Sequence, residues 1–192
     1  GLVLVAAAGL SPRVHWMFRV YALPFIGEWL LNRSAGRGVA QTQRFLAVRG
    51  DDLPPEFIDY HVRLHQNPWH RRSTLAVLRH NGVLLWGQAR TMVRERLKEI
   101  TVPTLVIWGE ADPLIPLADG RLAAEQIPEA RLEVFPQCGH LPPVECPERF
   151  NRALLDFFAR GSVRGPAAAR RGDRGVTRLR PGQSGAPPGE DL

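Results

Sequence analysis

Two polar residues follow strand-like segments at positions where they could form an acid–base pair. Asp112 comes four residues after the run TLVIW, and His140 comes five residues after the run RLEVF. A carboxylate that accepts a hydrogen bond from one imidazole nitrogen fixes the tautomer and leaves the other nitrogen as a general base. Gly139 permits a tight turn before the histidine, and Pro142 and Pro143 stiffen the backbone after it. The pattern predicts that Asp112 orients His140 for proton transfer.

The elements that must hold this pair alternate between strands and helices. Apolar runs at 2–8 and 104–108 predict strands, as does the segment RLEVF at 131–135, and the first run is continuous enough for a strand buried on both faces of a sheet. The segment LADGRLAAEQI at 117–127 predicts a helix between the second and third strands. This alternation predicts an α/β protein with a parallel sheet. In such sheets the functional groups gather at the carboxyl ends of the strands, where Asp112 and His140 lie.

A last helix and a tail complete the chain. Pro147 is suited to a first helical position, and Gly161 to a helix stop. The apolar positions at helical spacing between them are Phe150, Leu154, Phe157 and Phe158. Residues 161–192 are rich in glycine and proline without apolar periodicity, so we expect them to be disordered.

The sequence PTLVIWGEADPLIP and the later IPEARLEVFPQCGHLPPVECPERFNRALLDFF resemble the C-terminal half of an α/β-hydrolase. In that family the acid follows the seventh strand and the histidine the eighth, so the resemblance implies that Asp112 and His140 are catalytic. Glu145 and Pro147 match the family's frequent GH-x-x-x-x-E-x-P continuation. CGH followed by ERFN is similar to the meta-cleavage-product hydrolases, which break a C–C bond beside a ketone.

The resemblance divides the chain into four parts. Residues 1–11 hold a core strand that matches the family's sixth strand, and residues 12–100 form a helical cap. Residues 101–160 form the C-terminal core with the acid and the histidine, and residues 161–192 form the tail. The implied fold is a partial α/β-hydrolase fold with a helical cap insertion.

The family's nucleophile is missing from the sequence. Serines occur at Ser11, Ser34, Ser73, Ser162 and Ser184, and none lies in a G-x-S-x-G motif. The resemblance therefore implies that the nucleophile and the oxyanion loop precede Gly1, and that the 192 residues alone are inactive towards esters. An epoxide hydrolase or dehalogenase with an aspartate nucleophile remains open, as does a non-catalytic fragment or interaction module.

Composition limits the partners. Six of the 25 lysines and arginines and three of the 19 acids lie in 161–192, which leaves 19 basic and 16 acidic residues elsewhere. This near-neutral balance argues against a nucleic-acid partner. No apolar run reaches the length of a membrane span.

We expect a small apolar substrate, an ester or a C–C bond beside a carbonyl, with no cofactor or metal, and the oligomeric state stays open. Two cysteines kept as reduced thiols indicate a cytoplasmic protein.

Other interpretations stay open for single residues of the site. Asp112 could instead close an Asx-turn, Glu110 could be the acid, and His140 could cap backbone carbonyls in its loop. Cys138 lacks a base of its own and is expected to be a small packing residue.

Two sets of residues in the predicted cap invite a functional interpretation. His61, His65 and His70 suggest a metal site, but no acid or cysteine completes a ligand set, so a solvated helix face is expected. Four tryptophans are expected either to line an apolar substrate pocket or to pack in the core, and they are Trp16, Trp29, Trp69 and Trp86.

Overall fold

The described residues form a parallel three-stranded sheet with helices on both faces. The computed structural model describes residues 1–11, 15–34, 36–80 and 93–163. The strands are β1 (Leu2–Val5), β2 (Thr104–Gly109) and β3 (Ala130–Phe135), in that spatial order. Both pairings are parallel. The α/β prediction and its three strands are therefore confirmed.

Helices fill the connections between the strands. The insertion, the helical segment between β1 and β2, contains α1 (Trp16–Ala22), α2 (Ile26–Arg33), α3 (Arg37–Leu46), α4 (Pro55–Gln66) and α5 (Pro68–His80). Helix α6 (Leu117–Gln126) joins β2 to β3, and α7 (Pro142–Glu145) and α8 (Pro147–Val163) follow β3. Short 3₁₀ helices cover Gly50–Asp52 and Arg94–Glu99.

Strand β2 forms the centre of the core because both of its faces are covered. Val106 and Trp108 lie in one apolar cluster, which also contains residues of α6. Leu105 and Ile107 lie in a second cluster, against which α8 packs. All four side chains are inaccessible to solvent. The alternation of β2 between two buried clusters explains why its sequence is a continuous apolar run.

The observed elements differ from the predicted ones at their ends. Strand β1 ends at Val5 instead of residue 8, and its side chains are only partly buried. It was predicted to be buried on both faces, but it lies at the edge of the sheet that the described residues form. Helix α8 continues through Gly161 to Val163, because glycine weakens a helix without preventing it. The rest of the predicted disordered segment lies outside the described residues.

The segment that precedes β2 packs on the core. Leu97, in the 3₁₀ helix, is 2% exposed and shares a cluster with Trp108, against which Ile100 also packs. Val93, one residue before this helix, is 45% exposed. The division of the chain at residues 11, 100 and 160 stays a prediction.

Three of the four tryptophans of the insertion are on its surface. Trp16, Trp29 and Trp69 are 68%, 60% and 71% exposed, so core packing was wrong for them, and pocket lining stays a prediction. The helices that carry them pack instead through Ala22, Leu31 and Leu75, which are buried. A cavity of about 100 Å³ lies within the insertion, and its lining includes Met17, Phe18, Tyr21 and Leu31 but none of these three tryptophans. Trp86 lies outside the described residues.

An ion pair between α2 and α5 should make the stability of the insertion depend on pH. Arg79 donates to both carboxylate oxygens of Glu28 at 2.7 and 2.9 Å, and this hydrogen bonding lowers the pKa of Glu28 from 4.5 to about 2. Since the folded pKa is the lower one, the stabilisation is present above pH 4.5 and is lost as the pH falls towards 2.

We expect Glu28→Gln to lower the free energy of unfolding by about 1 kcal/mol at pH 7, because the pair is partly exposed and screened by solvent. The difference from the unchanged chain should shrink as the pH falls below 4.5. Urea unfolding of both chains at several pH values between 7 and 2.5 measures this difference in the free energy of unfolding. Glu56→Gln, at an exposed acid of α4, is the control. A Glu28→Gln difference that stays constant with pH would contradict this assignment.

Candidate active site

His140 and Asp112 meet at the carboxyl edge of the sheet. The distance between His140 Nδ1 and Asp112 Oδ2 is 2.9 Å. The Asp112 side chain is fully buried, and that of His140 is 19% exposed. Because a carboxylate oxygen accepts, Nδ1 carries the proton and Nε2 is left for proton transfer. The prediction that the two side chains lie within hydrogen-bonding reach is confirmed.

Backbone hydrogen bonds beyond the ends of β2 and β3 bring the two residues together. The N–H of Glu110 donates to Phe135 O at 2.9 Å, and that of Ala111 donates to Cys138 O at 3.0 Å. These bonds continue the contact between the two chain segments past the last paired residues of the strands. Asp112 therefore emerges beside residues 136–141, the histidine loop, which carries His140.

The carboxylate of Asp112 divides its two oxygens between fold and site. Oδ1 accepts from the backbone N–H of Leu114 at 2.8 Å and of Ile115 at 2.9 Å, which is the Asx-turn that the sequence left open. Oδ2 accepts from His140. The two interpretations of Asp112 are thus compatible. Glu110, the other candidate acid, is exposed, and the structure records no bond from it to His140.

Two glycines allow the chain segments of the site to approach closely. A Cβ on Gly109 would lie 1.9 Å from the carbonyl oxygen of Gly139. A Cβ on Gly139 would lie 2.5 Å from the carbonyl oxygen of Leu46. The left-handed residue of the turn after β3 is Gln137, with φ of 54°. Gly139 is therefore needed for close approach and not, as predicted, for the turn itself.

Cys138 is an inert packing residue. It is inaccessible to solvent and lies in the apolar cluster against which α8 packs. Burial, together with a hydrogen bond that the protonated thiol makes to Cys146 and the nearby carboxylates, raises the pKa of the Cys138 thiol, so it stays protonated. The prediction of a packing role is confirmed. Both cysteines are free thiols.

His61, His65 and His70, the set that suggested a metal site, contact backbone carbonyl groups and one another. Nδ1 of His61 donates to Phe57 O, and Nδ1 of His65 donates to His61 O, each at 2.9 Å. The rings of His65 and His70 contact each other edge to face, and burial is the main cause of a lowered pKa of His70. No group of three metal-ligating side chains occurs in the described ranges. Each of these histidines is half-buried, so the helix face that was expected to be solvated is only partly so.

Among the residues described, no helix combines the length and the apolar character required to span a bilayer.

A model of the alpha/beta hydrolase family matches residues 1–153. The chain belongs to this family. Its relatives include a 2-hydroxy-6-oxo-6-phenylhexa-2,4-dienoate hydrolase of Burkholderia cepacia, which is 37% identical over 100 residues, 52% of this chain and 33% of that protein. A 2-hydroxy-6-oxononadienedioate/2-hydroxy-6-oxononatrienedioate hydrolase of Paraburkholderia phymatum is 48% identical over 63 residues, 33% of this chain and 22% of that one.

Solved structures share the fold. The meta-cleavage product hydrolase of Pseudomonas fluorescens IP01 matches with a TM-score of 0.62 at 23% identity, over 83% of this chain and 55% of that one. The 2-hydroxy-6-oxo-6-phenylhexa-2,4-dienoate hydrolase of Rhodococcus sp. strain RHA1 matches with a TM-score of 0.64 at 18% identity, over 82% of this chain and 54% of that one. The matched region spans about a third of the first curated relative and about half of these structures.

Proposed function

We propose that this chain supplies the acid and the histidine of a hydrolase that cleaves a C–C bond beside a carbonyl, or an ester, in a small apolar substrate. The observation that carries the proposal is the 2.9 Å bond between His140 Nδ1 and the fully buried Asp112. A buried carboxylate holds the imidazole in one tautomer and stabilises its charge once it is protonated. The two relatives named above are hydrolases of 2-hydroxy-6-oxo compounds, which favours the C–C substrate class.

His140 moves a proton twice in this proposal. Nε2 takes the proton of the nucleophile as the nucleophile attacks the carbonyl carbon, and Asp112 stabilises the resulting imidazolium. When the bond next to the carbonyl breaks, Nε2 returns the proton to the leaving carbon or oxygen. Water then attacks the same carbonyl carbon in the same way and releases the carboxylic acid product together with the free nucleophile. The chemistry needs no further cofactor.

The nucleophile in this proposal comes from outside residues 1–192. The sequence holds no G-x-S-x-G motif. Ser11, the serine that follows β1, donates its hydroxyl to Asp119 at 2.8 Å. The oxyanion donors would come from outside these residues as well.

The test begins with the DNA upstream of the Gly1 codon. A G-x-S-x-G motif in frame supports a serine hydrolase, and G-x-D-x-G supports the epoxide hydrolase or dehalogenase alternative. We expect residues 1–192 alone to show no turnover of activated esters or of 2-hydroxy-6-oxo-dienoates. The chain extended through the motif should turn over one of them, and His140→Ala should abolish this activity. His140-dependent turnover by residues 1–192, or turnover of the extended chain that survives His140→Ala, would contradict the proposal.

A further inference from the structure

Glu145 holds the backbone on both sides of His140. It is the last residue of α7, and it is partly buried. Its Oε2 accepts from the N–H of Gly139 at 2.9 Å, and its Oε1 accepts from the N–H of Leu141 at 2.9 Å. One carboxylate therefore accepts from the N–H groups of both residues that flank the histidine.

The same carboxylate reaches the insertion. Glu145 Oε2 also accepts from the N–H of Val48 at 2.8 Å. The N–H of His140 itself donates to the carbonyl oxygen of Leu46, the last residue of α3, at 2.8 Å. Three successive N–H groups of the histidine loop are thus bonded either to Glu145 or to the insertion. None of these bonds belongs to the sheet.

Apolar packing strengthens this connection. A cluster centred on Ala47, Leu53 and Ile58 of the insertion also contains Leu141 and Val144 from the histidine loop and α7. Gly139 lies so close to segment 46–48 that a Cβ there would be 2.5 Å from Leu46 O and 3.0 Å from Glu145 Oε1. A displacement of segment 46–48 would therefore carry the backbone of His140 with it.

We propose that Glu145 is a positioning residue that aligns the imidazole of His140 with Asp112 and couples this alignment to segment 46–48 of the insertion. The inference rests on the proposed function, because His140 acts as a base only there. Glu145 touches no reacting atom and acts through the backbone of residues 139–141. A purely structural role would change the stability of the fold and leave the hydrogen bond between His140 and Asp112 as it is.

The test follows the Nδ1 proton of His140 by NMR in residues 1–192 labelled with ¹⁵N-histidine. The unchanged chain should show a slowly exchanging proton on Nδ1, which His140→Gln removes and so assigns. In Glu145→Ala we expect this proton to exchange with water at least tenfold faster, since three N–H groups lose their acceptor. Glu145→Gln should give an intermediate rate, because its amide oxygen can still accept from Gly139 and Val48.

Glu148→Ala is the matched control, since Glu148 is an exposed acid three residues further along. It should leave the exchange rate within twofold of that of the unchanged chain. Exchange in Glu145→Ala that also stays within twofold would overturn the inference, as would the absence of a slowly exchanging proton in the unchanged chain. If Glu145→Ala does not fold, the exchange rate of the Nδ1 proton in Glu145→Gln is the test instead. An increase below twofold in that rate overturns the inference.

This measurement does not depend on turnover. If the extended chain keeps its activity in His140→Ala while the Nδ1 proton responds to Glu145→Ala, the proposed function fails and the positioning by Glu145 stands. If activity depends on His140 but the proton does not respond, the positioning inference alone fails. In an active extended chain, Glu145→Gln should lower kcat at least fivefold with KM changed less than twofold.

Discussion

Asp112→Asn should lower the turnover of the active extended chain by roughly 10⁴-fold without unfolding it. Asparagine keeps an oxygen in place of Oδ1, so the N–H groups of Leu114 and Ile115 keep their acceptor. Its NH₂ group replaces Oδ2 and donates to Nδ1 of His140. The imidazole must then carry its own proton on Nε2, where it can no longer accept one. The kcat with the best substrate measures the loss of turnover. The thermal unfolding midpoint of the same samples shows whether the fold is kept.

Asp112→Ala is the companion variant. It removes both oxygens, and the N–H groups of Leu114 and Ile115 lose their partners inside the fold. Each unsatisfied buried donor costs about 1–3 kcal/mol, so Asp112→Ala should be clearly less stable than Asp112→Asn. Equal stabilities of the two variants, or an asparagine variant that keeps a tenth of the activity, would contradict the division of the carboxylate between fold and site.

Gly109→Ala should destabilise the fold by about 3 kcal/mol or more, because overpacking at this position meets backbone and not a side chain that can move away. The added Cβ would lie 1.9 Å from the carbonyl oxygen of Gly139 and 2.5 Å from that of Cys138. To relieve the clash, the histidine loop must move away from β2. The hydrogen bond from the N–H of Ala111 to Cys138 O would then lengthen or break. Chemical unfolding of residues 1–192 measures the loss of stability.

Gly36→Ala provides the comparison, since nothing lies within 4 Å of a Cβ at that position. Since Gly36 is the N-cap of α3, where alanine is disfavoured, the variant should lower the free energy of unfolding by no more than about 1 kcal/mol. A loss for Gly109→Ala that is no larger than this would show that the loop accommodates the methyl group. The close approach of the histidine loop would then not be the reason for a glycine at the end of β2.

The parts of the fold that follow from local sequence were predictable. β2 is a run of apolar residues and β3 alternates apolar with charged residues, and parallel strands bring their carboxyl ends to one edge. The meeting of Asp112 and His140 follows from these two facts alone. The spacing of Phe150, Leu154 and Phe157 predicts α8, and these side chains pack on the sheet.

The contacts that support the site were not predictable, because they join residues far apart in sequence. Nothing local to Leu46 or Val48 shows that they contact the histidine loop 94 and 97 residues later. Glu145 stands out in the sequence only as part of a family pattern, and its three backbone partners become visible only in the folded chain. Core packing was wrong for Trp16, Trp29 and Trp69, because the sequence of a short helix does not identify which of its faces is covered.

The placement of the insertion between two neighbouring strands affects how the chain folds. Leu2 pairs with Thr104, a separation of 102 residues, whereas Thr104 pairs with Ala130, a separation of 26. The β2–α6–β3 unit should therefore form first, with β1 docking afterwards. Yet loop closure varies with the logarithm of length, and the fourfold longer closure costs only about 1.2 kcal/mol more. Residues could be added or removed between β1 and β2 at similarly small cost, so this connection can change in size over evolution while the sheet and the acid–histidine pair stay the same.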